Sequence, residues 1–292
     1  MASKISLRTK NIIQFRGSPN PASIRLRPSS PSSCLHPLPL ILQTTFFVLL
    51  ILHLSLQPCF GLTDEEIQKS QILLRGKPIG EKIAFWAEKF IGVPYDRDPL
   101  GEYVSRAAIV SDERVDCMYL TFRAVELALS GTPGEAIQVA LERRFHSKGV
   151  LKEDRVINYD DRFEYGEDMI ESGKWGREIT SEVGKTMKIE GARGRASAEV
   201  LSADALTQGM RGLKSGDLIF FAKEPRKREV GEIIGHIGIV RVVEVGRNQR
   251  NHDIFLIHAS GTKGKGGAVK KVRLREYLSK MPFIGVKITR FQ

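Results

Sequence analysis

Three short segments in fixed order constrain this 292-residue chain more than any other feature. Val115-Asp116-Cys117 opens an apolar helical pattern. Gly235-His236-Ile237-Gly238-Ile239-Val240 reads as a strand rich in β-branched residues, and Leu256-Ile257-His258-Ala259-Ser260 as another. From Met118 to Leu129 apolar residues recur three and four apart with no Gly or Pro, which predicts an amphipathic helix with Cys117 at its start. Consecutive strands of this kind tend to pair antiparallel, which can set His236 and His258 side by side on one face.

These segments supply a thiol, an imidazole and a polar orienting group, the three parts of a cysteine nucleophile machine. Cys117 is the only cysteine beyond the first sixty residues, since Cys34 and Cys59 lie in or before a hydrophobic targeting segment. Residues 62–292 therefore form no internal disulfide, and a leftover thiol in an exported chain points to intermolecular pairing or to reactivity. At a helix start the unpaired N–H groups and the macrodipole favour a thiolate. Taken singly, a lone cysteine is more often a small buried hydrophobe and a lone strand histidine a satisfied core or surface residue. The combination is what points to nucleophilic catalysis. Zinc held by Cys117, His236 and His258 would mark a different enzyme class. No zinc-ligand spacing and no Walker-type phosphate loop occurs, so neither a metal nor a cofactor is expected.

The rest of the pattern is α+β. Ile79–Ile91 and Glu135–Arg144 read as helices, with Gly131-Thr132-Pro133-Gly134 ending the helix of Cys117. Gly216–Phe221 reads as a strand entered through a turn, Gly246–Asp253 as a hairpin loop and Gly285–Arg290 as a last strand. Phe163, Tyr165, Met169 and Trp175 either line a substrate groove or pack locally. Gly191–Ala198, rich in Gly, Arg and Ser, reads as a mobile loop.

The amino terminus carries a charged, then apolar signature. Residues 1–61 hold six basic residues and no Asp or Glu, followed by the apolar run Phe46–Leu52 and the small-x-small sequence Cys59-Phe60-Gly61. This predicts an export signal, with an uncleaved anchor or an organellar transit peptide as lower-ranked readings, and hence a location in the periplasm or cell envelope. Any membrane contact is expected through that segment alone. The remaining residues, about 231, suffice for a single domain with a substantial core. Charge divides unevenly within it. Residues 62–184 hold 17 basic and 24 acidic side chains, whereas residues 185–292 hold 22 basic and 10 acidic. A basic half attracts an anionic polymer. No aromatic-interleaved basic motif accompanies it, so nucleic acid is not the expected partner. The runs Lys223–Arg228 and Lys263–Gly267 read as solvated loops first and polymer contacts second.

From about Ile83 to Phe291 the chain resembles the NlpC-type cell-wall peptidases and amidases, which share a papain-like core. Four motifs carry the resemblance: Gly92-Val93-Pro94-Tyr95, Asp116-Cys117, Gly216–Phe221, and Gly235–Val240 together with Ile257–Ser260. Common members have Asp-Cys-Ser-Gly. Asp116-Cys117-Met118-Tyr119 here, with the Pro94-Tyr95 element and Arg162–Ile170, looks closer to a subgroup of N-acetylmuramoyl-L-alanine amidase-like proteins. The 22 positions from His236 to His258 exceed the usual spacing and require an extended hairpin.

The resemblance implies an α+β, papain-like core, its catalytic helix packed on an antiparallel β-sheet, with a helical and loop insertion at about 149–198. It implies Cys117 as nucleophile, His236 as general base and His258 as the residue orienting it. Tyr95, Asp116, Arg162 and Tyr165 would serve the oxyanion or substrate. The implied substrate is peptidoglycan or its muropeptides, cut between N-acetylmuramic acid and L-alanine. Alternatives are cleavage between D-Glu and a diamino acid, acyl transfer, and a non-catalytic wall-binding module.

Overall fold

The computed structural model describes residues 61–244 and 252–292. The expected leader up to Phe60, with Cys34 and Cys59, lies outside the described residues, as does most of the expected loop at 246–253. No helix among the described residues is long and apolar enough to cross a membrane.

The chain opens with helices α1 (Asp64–Leu73), α2 (Ile79–Lys89) and α3 (Glu102–Ser105), then α4 (Cys117–Leu129) and α5 (Pro133–Arg143). Each start has a local cause. Thr63 and Glu66 form a capping box at α1, Asp116 Oδ1 accepts from Tyr119 N at 2.8 Å at α4, and Thr132 caps α5 with Pro133 in its first turn. Two hairpins follow, β1 (Leu151–Lys152) with β2 (Arg155–Val156), and β4 (Met187–Glu190) with β5 (Ser197–Val200). Between them lie α6 (Gly166–Glu171), β3 (Arg177–Glu178) and α7 (Thr180–Val183); α8 (Ala203–Gly209) comes after.

The sheet that organises the molecule comprises β3, β6 (Leu218–Ala222), β7 (Ile234–Glu244), β8 (His252–Thr262), β9 (Gly266–Arg273) and β10 (Gly285–Arg290). Its order is β3-β10-β6-β7-β8-β9 and every pairing is antiparallel. Gly285–Arg290 is the last strand in sequence but lies inside the sheet, between β3 and β6. A short helix, α9 (Leu274–Leu278), joins β9 to it.

Alternation along the strands feeds two cores. Leu218, Phe220, Ile237, Ile239, Ile257 and Ala259 face the core shared with α2, α4 and α5. Ile219, Phe221, Val240, Leu256, Val286 and Ile288 face the core shared with α7, α8 and α9. At Gly216, φ is +82° and a Cβ would overlap the backbone of Gly80, so only glycine lets the turn before β6 close against α2.

Helix α4 packs on β7 and β8 and is also held by buried charge. Arg144 meets both oxygens of Glu126, at 2.6 and 2.7 Å, with neither side chain exposed. The same guanidinium lies 4.9 Å from the Tyr119 ring centre. Asp112 accepts from Arg123 at 3.0 Å and from the Tyr119 hydroxyl at 2.8 Å. Removing one partner of such a pair strands a buried charge.

The aromatic set of the insertion resolves toward packing. Phe163, Met169 and Trp175 are buried in the first core and do not line a groove. The stretch at 191–198, expected to be mobile, instead joins β4 to β5. Arg193 there meets Glu167 and Asp168, and Arg195 meets Asp168 and Glu171.

Arg144→Met should lower unfolding free energy by about 3–5 kcal/mol. Lys69→Met, which removes the exposed Lys69–Glu65 pair, should cost under about 1 kcal/mol. Urea denaturation measures both, and equal costs would contradict the assigned role of the buried pair.

Candidate active site

The site forms where β7 and β8 part. Their pairing ends at Ile239 opposite Ile257, leaving residues 234–238 and 258–262 splayed. Across that fork the rings of His236 and His258 meet, Nε2 to Nδ1, at 2.9 Å. Register explains the reach: Ile239 faces Ile257, so the two histidines are diagonal neighbours, within range of ring side chains.

Aromatic residues wall the pair. Phe283 stacks on His236 with 8° between planes, Phe221 lies 5.7 Å from it, and Tyr277 lies 4.8 Å from His258. This burial depresses both imidazoles, His236 to about 3, with neighbouring His258 adding to the effect, and His258 to about 4, with Lys270 adding. Both rings are therefore neutral at pH 7. In the tautomer in which Nε2 of His236 donates to Nδ1 of His258, Nδ1 of His236 is free to accept a proton.

Cys117 reaches the fork from the start of α4. The Ile237 N–H, next in the chain to His236, favours its thiolate. Among the described residues no hydrogen bond links Cys117 to either imidazole. Burial pushes the thiol up to about 12, with Asp116 adding to the rise, and the N–H groups of Ile237 and Cys117 and the Lys263 ammonium oppose it. The helix start alone predicts a stabilised thiolate. Burial and an adjacent carboxylate outweigh it, so the resting site holds a thiol beside neutral imidazoles.

Tyr95 stands at the same place for a backbone reason. Residues 92–95 run along β9, with Gly92 N donating to Val269 O, Val269 N to Val93 O and Tyr95 N to Gly267 O. Val115 N then donates to Pro94 O, which ties the residues preceding Cys117 to the Tyr95 segment. A Cβ at Gly261 would fall inside the Tyr95 ring, so the glycine admits the phenol to the site. Burial, with Cys117, Asp116 and Asp96 nearby, raises the phenol well above its ordinary pKa and keeps it an O–H donor.

The remaining candidates fall differently. Asp116 caps α4 and its second oxygen meets Lys263 Nζ at 3.1 Å; a carboxylate has no donor to offer an oxyanion. Arg162 is occupied by Glu164 at 2.6 Å and by the Tyr159 carbonyl. Tyr165 lies beneath the Arg193 guanidinium at 3.6 Å. No hydrogen bond or ring contact among the described residues joins Arg162 or Tyr165 to Cys117, His236 or His258. The insertion reaches the site through Glu167 instead. Its buried carboxylate accepts from Ile233 N and Ile234 N at 3.1 Å each, just before His236.

Tyr277, Phe283 and Lys263 are neighbours of the site that sequence patterns do not single out. Tyr277 is pushed up to about 12 by burial and by Cys117. Its only sequence signal is a short apolar repeat after β9. Among the described residues no group of three or more His, Cys, Asp and Glu is arranged to hold a metal ion.

No protein-family model matches the sequence, and no curated protein matches it. Solved structures do match the fold. An N-acetylmuramoyl-L-alanine amidase from Bacteroides uniformis aligns with a TM-score of 0.52 at 18% identity, over 73% of this chain and 99% of its own. A DUF1460 protein from Legionella pneumophila aligns with a TM-score of 0.59 at 16% identity, over 77% of this chain and 93% of its own. A putative xylanase from Bacteroides fragilis aligns with a TM-score of 0.50 at 16% identity, over 71% and 100%. At these identities the likeness is one of fold: α+β with an antiparallel sheet.

The depressed imidazoles make a stability prediction. The unfolded chain binds protons near pH 6.5 that the folded site refuses, so stability from this source is complete above about 6.5 and is lost as pH falls toward 4 and 3. Urea midpoints should fall from pH 6.5 to 5, with a flatter slope in the His236→Gln/His258→Gln variant. Equal slopes would contradict neutral burial of the pair.

Proposed function

We propose that the protein is a cysteine-dependent amide hydrolase of peptidoglycan with a papain-like, NlpC-type core. The observation that carries the reading is the convergence of Cys117, Tyr95 and the His236–His258 pair on one fork between strands. The fold it shares with a named N-acetylmuramoyl-L-alanine amidase supports the preferred bond, that between N-acetylmuramic acid and L-alanine.

In the proposed reaction His236 Nδ1 takes the proton of Cys117 as sulfur attacks the lactoyl carbonyl carbon. Nucleophile–base bonds often tighten only when substrate is bound, so their looseness in the free site is no obstacle. The oxyanion is met by the Cys117 N–H and the Tyr95 hydroxyl. The C–N bond breaks, the imidazolium returns its proton to the departing alanine nitrogen, and a thioester remains. Water then attacks the thioester, giving its proton to His236, and the acid leaves as the thiol reforms.

The putative xylanase points to a rival chemistry, which requires two free carboxyl groups facing one bond. Beside Tyr95 the carboxylates are Asp96 and Asp116, and both are spent on backbone N–H groups: Asp96 on Asp98 and Glu102, Asp116 on Tyr119. Amide hydrolysis therefore fits these residues better than glycoside hydrolysis. We place residues 1–61 as an export signal or anchor and residues 62–292 as one catalytic domain, which suits an envelope substrate.

Mass spectrometry of muropeptides retaining N-acetylmuramic acid, incubated with purified protein, tests the proposal. Release of an intact stem peptide with a free L-alanine amine is expected, with Cys117→Ala and His236→Ala each slower by at least about 10³-fold. Tyr95→Phe should be slower by roughly 10²-fold. A cut between D-Glu and the diamino acid would replace the amidase with an endopeptidase, and no cleavage of any muropeptide would favour a binding module.

A further inference from the structure

We infer that Lys263 is the counter-ion that makes a carboxylate tolerable beside the nucleophile, a positioning residue for the thiolate and the oxyanion that follows it. The inference rests on Cys117 being the nucleophile.

Asp116 serves two incompatible ends. Its Oδ1 caps α4 at 2.8 Å from Tyr119 N, and the cap fixes the helix whose first residue is Cys117. The same carboxylate sits one residue from the sulfur, where a negative charge opposes both a thiolate and an oxyanion. Lys263 resolves the conflict from a distant part of the chain. It lies in the turn between β8 and β9, 147 positions from Asp116, and its Nζ meets Asp116 Oδ2 at 3.1 Å. The oxygen that it neutralises is the one left over from capping, so both functions proceed at once.

The position of the ammonium is set by structure. Lys265 N donates to Thr262 O to close the turn, and Gly264 N donates to Arg97 O, which ties the turn to the loop following Tyr95. The ammonium also lies 5.8 Å from the Tyr95 ring centre. Its side chain is 31% exposed and that of Asp116 12%, so the pair is partly shielded from solvent. The other titratable groups around the sulfur are neutral at pH 7: the phenols Tyr95 and Tyr277, and the imidazoles His236 and His258. Lys263 is therefore the cation that balances Asp116 at the sulfur, whereas Asp96 acts on the Tyr95 phenol and Lys270 on His258.

The test is alkylation of the full-length protein by iodoacetamide, followed at the Cys117 peptide by mass spectrometry at fixed pH. Only the thiolate reacts, so the rate reports its population. Lys263→Met should slow alkylation about three- to tenfold, and Lys263→Arg should restore most of the rate. Asp116→Asn keeps an acceptor at the cap and should speed alkylation, and adding Lys263→Met to it should bring the rate back toward that of the unaltered protein. If Lys263 merely braces the hairpin, Lys263→Met would lower the melting temperature without changing the rate, or Lys263→Arg would fail to restore it; either result overturns the inference. No muropeptide enters the assay. Loss of the lysine effect in a working hydrolase defeats this inference alone, and a clear lysine effect in a protein that cleaves nothing defeats the hydrolase reading alone.

Discussion

The packing of α4 against β7 and β8 is the contact on which the rest of the structure depends. It buries the apolar face of the helix on Ile237, Ile239, Ile257 and Ala259, and so aims the helix start at the point where the two strands part. The fork is what gives the imidazoles room to meet across it. Behind the helix, the Glu126–Arg144 and Asp112–Arg123 pairs fix its rotation, since a buried ion pair keeps its value only in one geometry. In front, the bonds from residues 92–95 to β9 and to Val115 bring Tyr95 to the same place. Glu167 anchors the insertion to the two amides that precede His236.

Electrostatics then sets the resting state. A helix start favours an anion, but here the sulfur is desolvated and a carboxylate stands beside it, and the balance falls to the thiol. The imidazoles are desolvated too and stay neutral. Such a site stores no thiolate–imidazolium pair. In the reaction we propose, the proton moves when a bound carbonyl supplies an acceptor for the developing charge, which is where the Tyr95 hydroxyl and the Lys263 ammonium would matter.

The legible parts were those with local causes. Helix α4 follows from a 3.6-residue apolar period that starts at Cys117, and β7 and β8 from runs of β-branched residues buried on both faces of the sheet. The side-by-side histidines follow from alternation and antiparallel pairing. What sequence hid depends on distant partners. Gly191–Ala198 lacks apolar pattern and reads as mobile, yet its arginines find acids more than twenty positions away. Lys263 reads as a solvated loop residue because nothing near it in sequence hints at Asp116. Tyr277 and Phe283 reach His236 only because β9 and α9 fold back over it. Arg162 and Tyr165 were candidates through resemblance, and each is held by a neighbour in the insertion.

The central claim is that Cys117 carries the acyl group during hydrolysis. Acid-quenched mixtures of protein and muropeptide, analysed by intact mass and then by peptide mapping, test it most directly. The account predicts a transient adduct on Cys117 with the mass of the muramyl portion, absent from Cys117→Ala. Steady cleavage with no adduct on Cys117, and with Cys117→Ala still active, would contradict it.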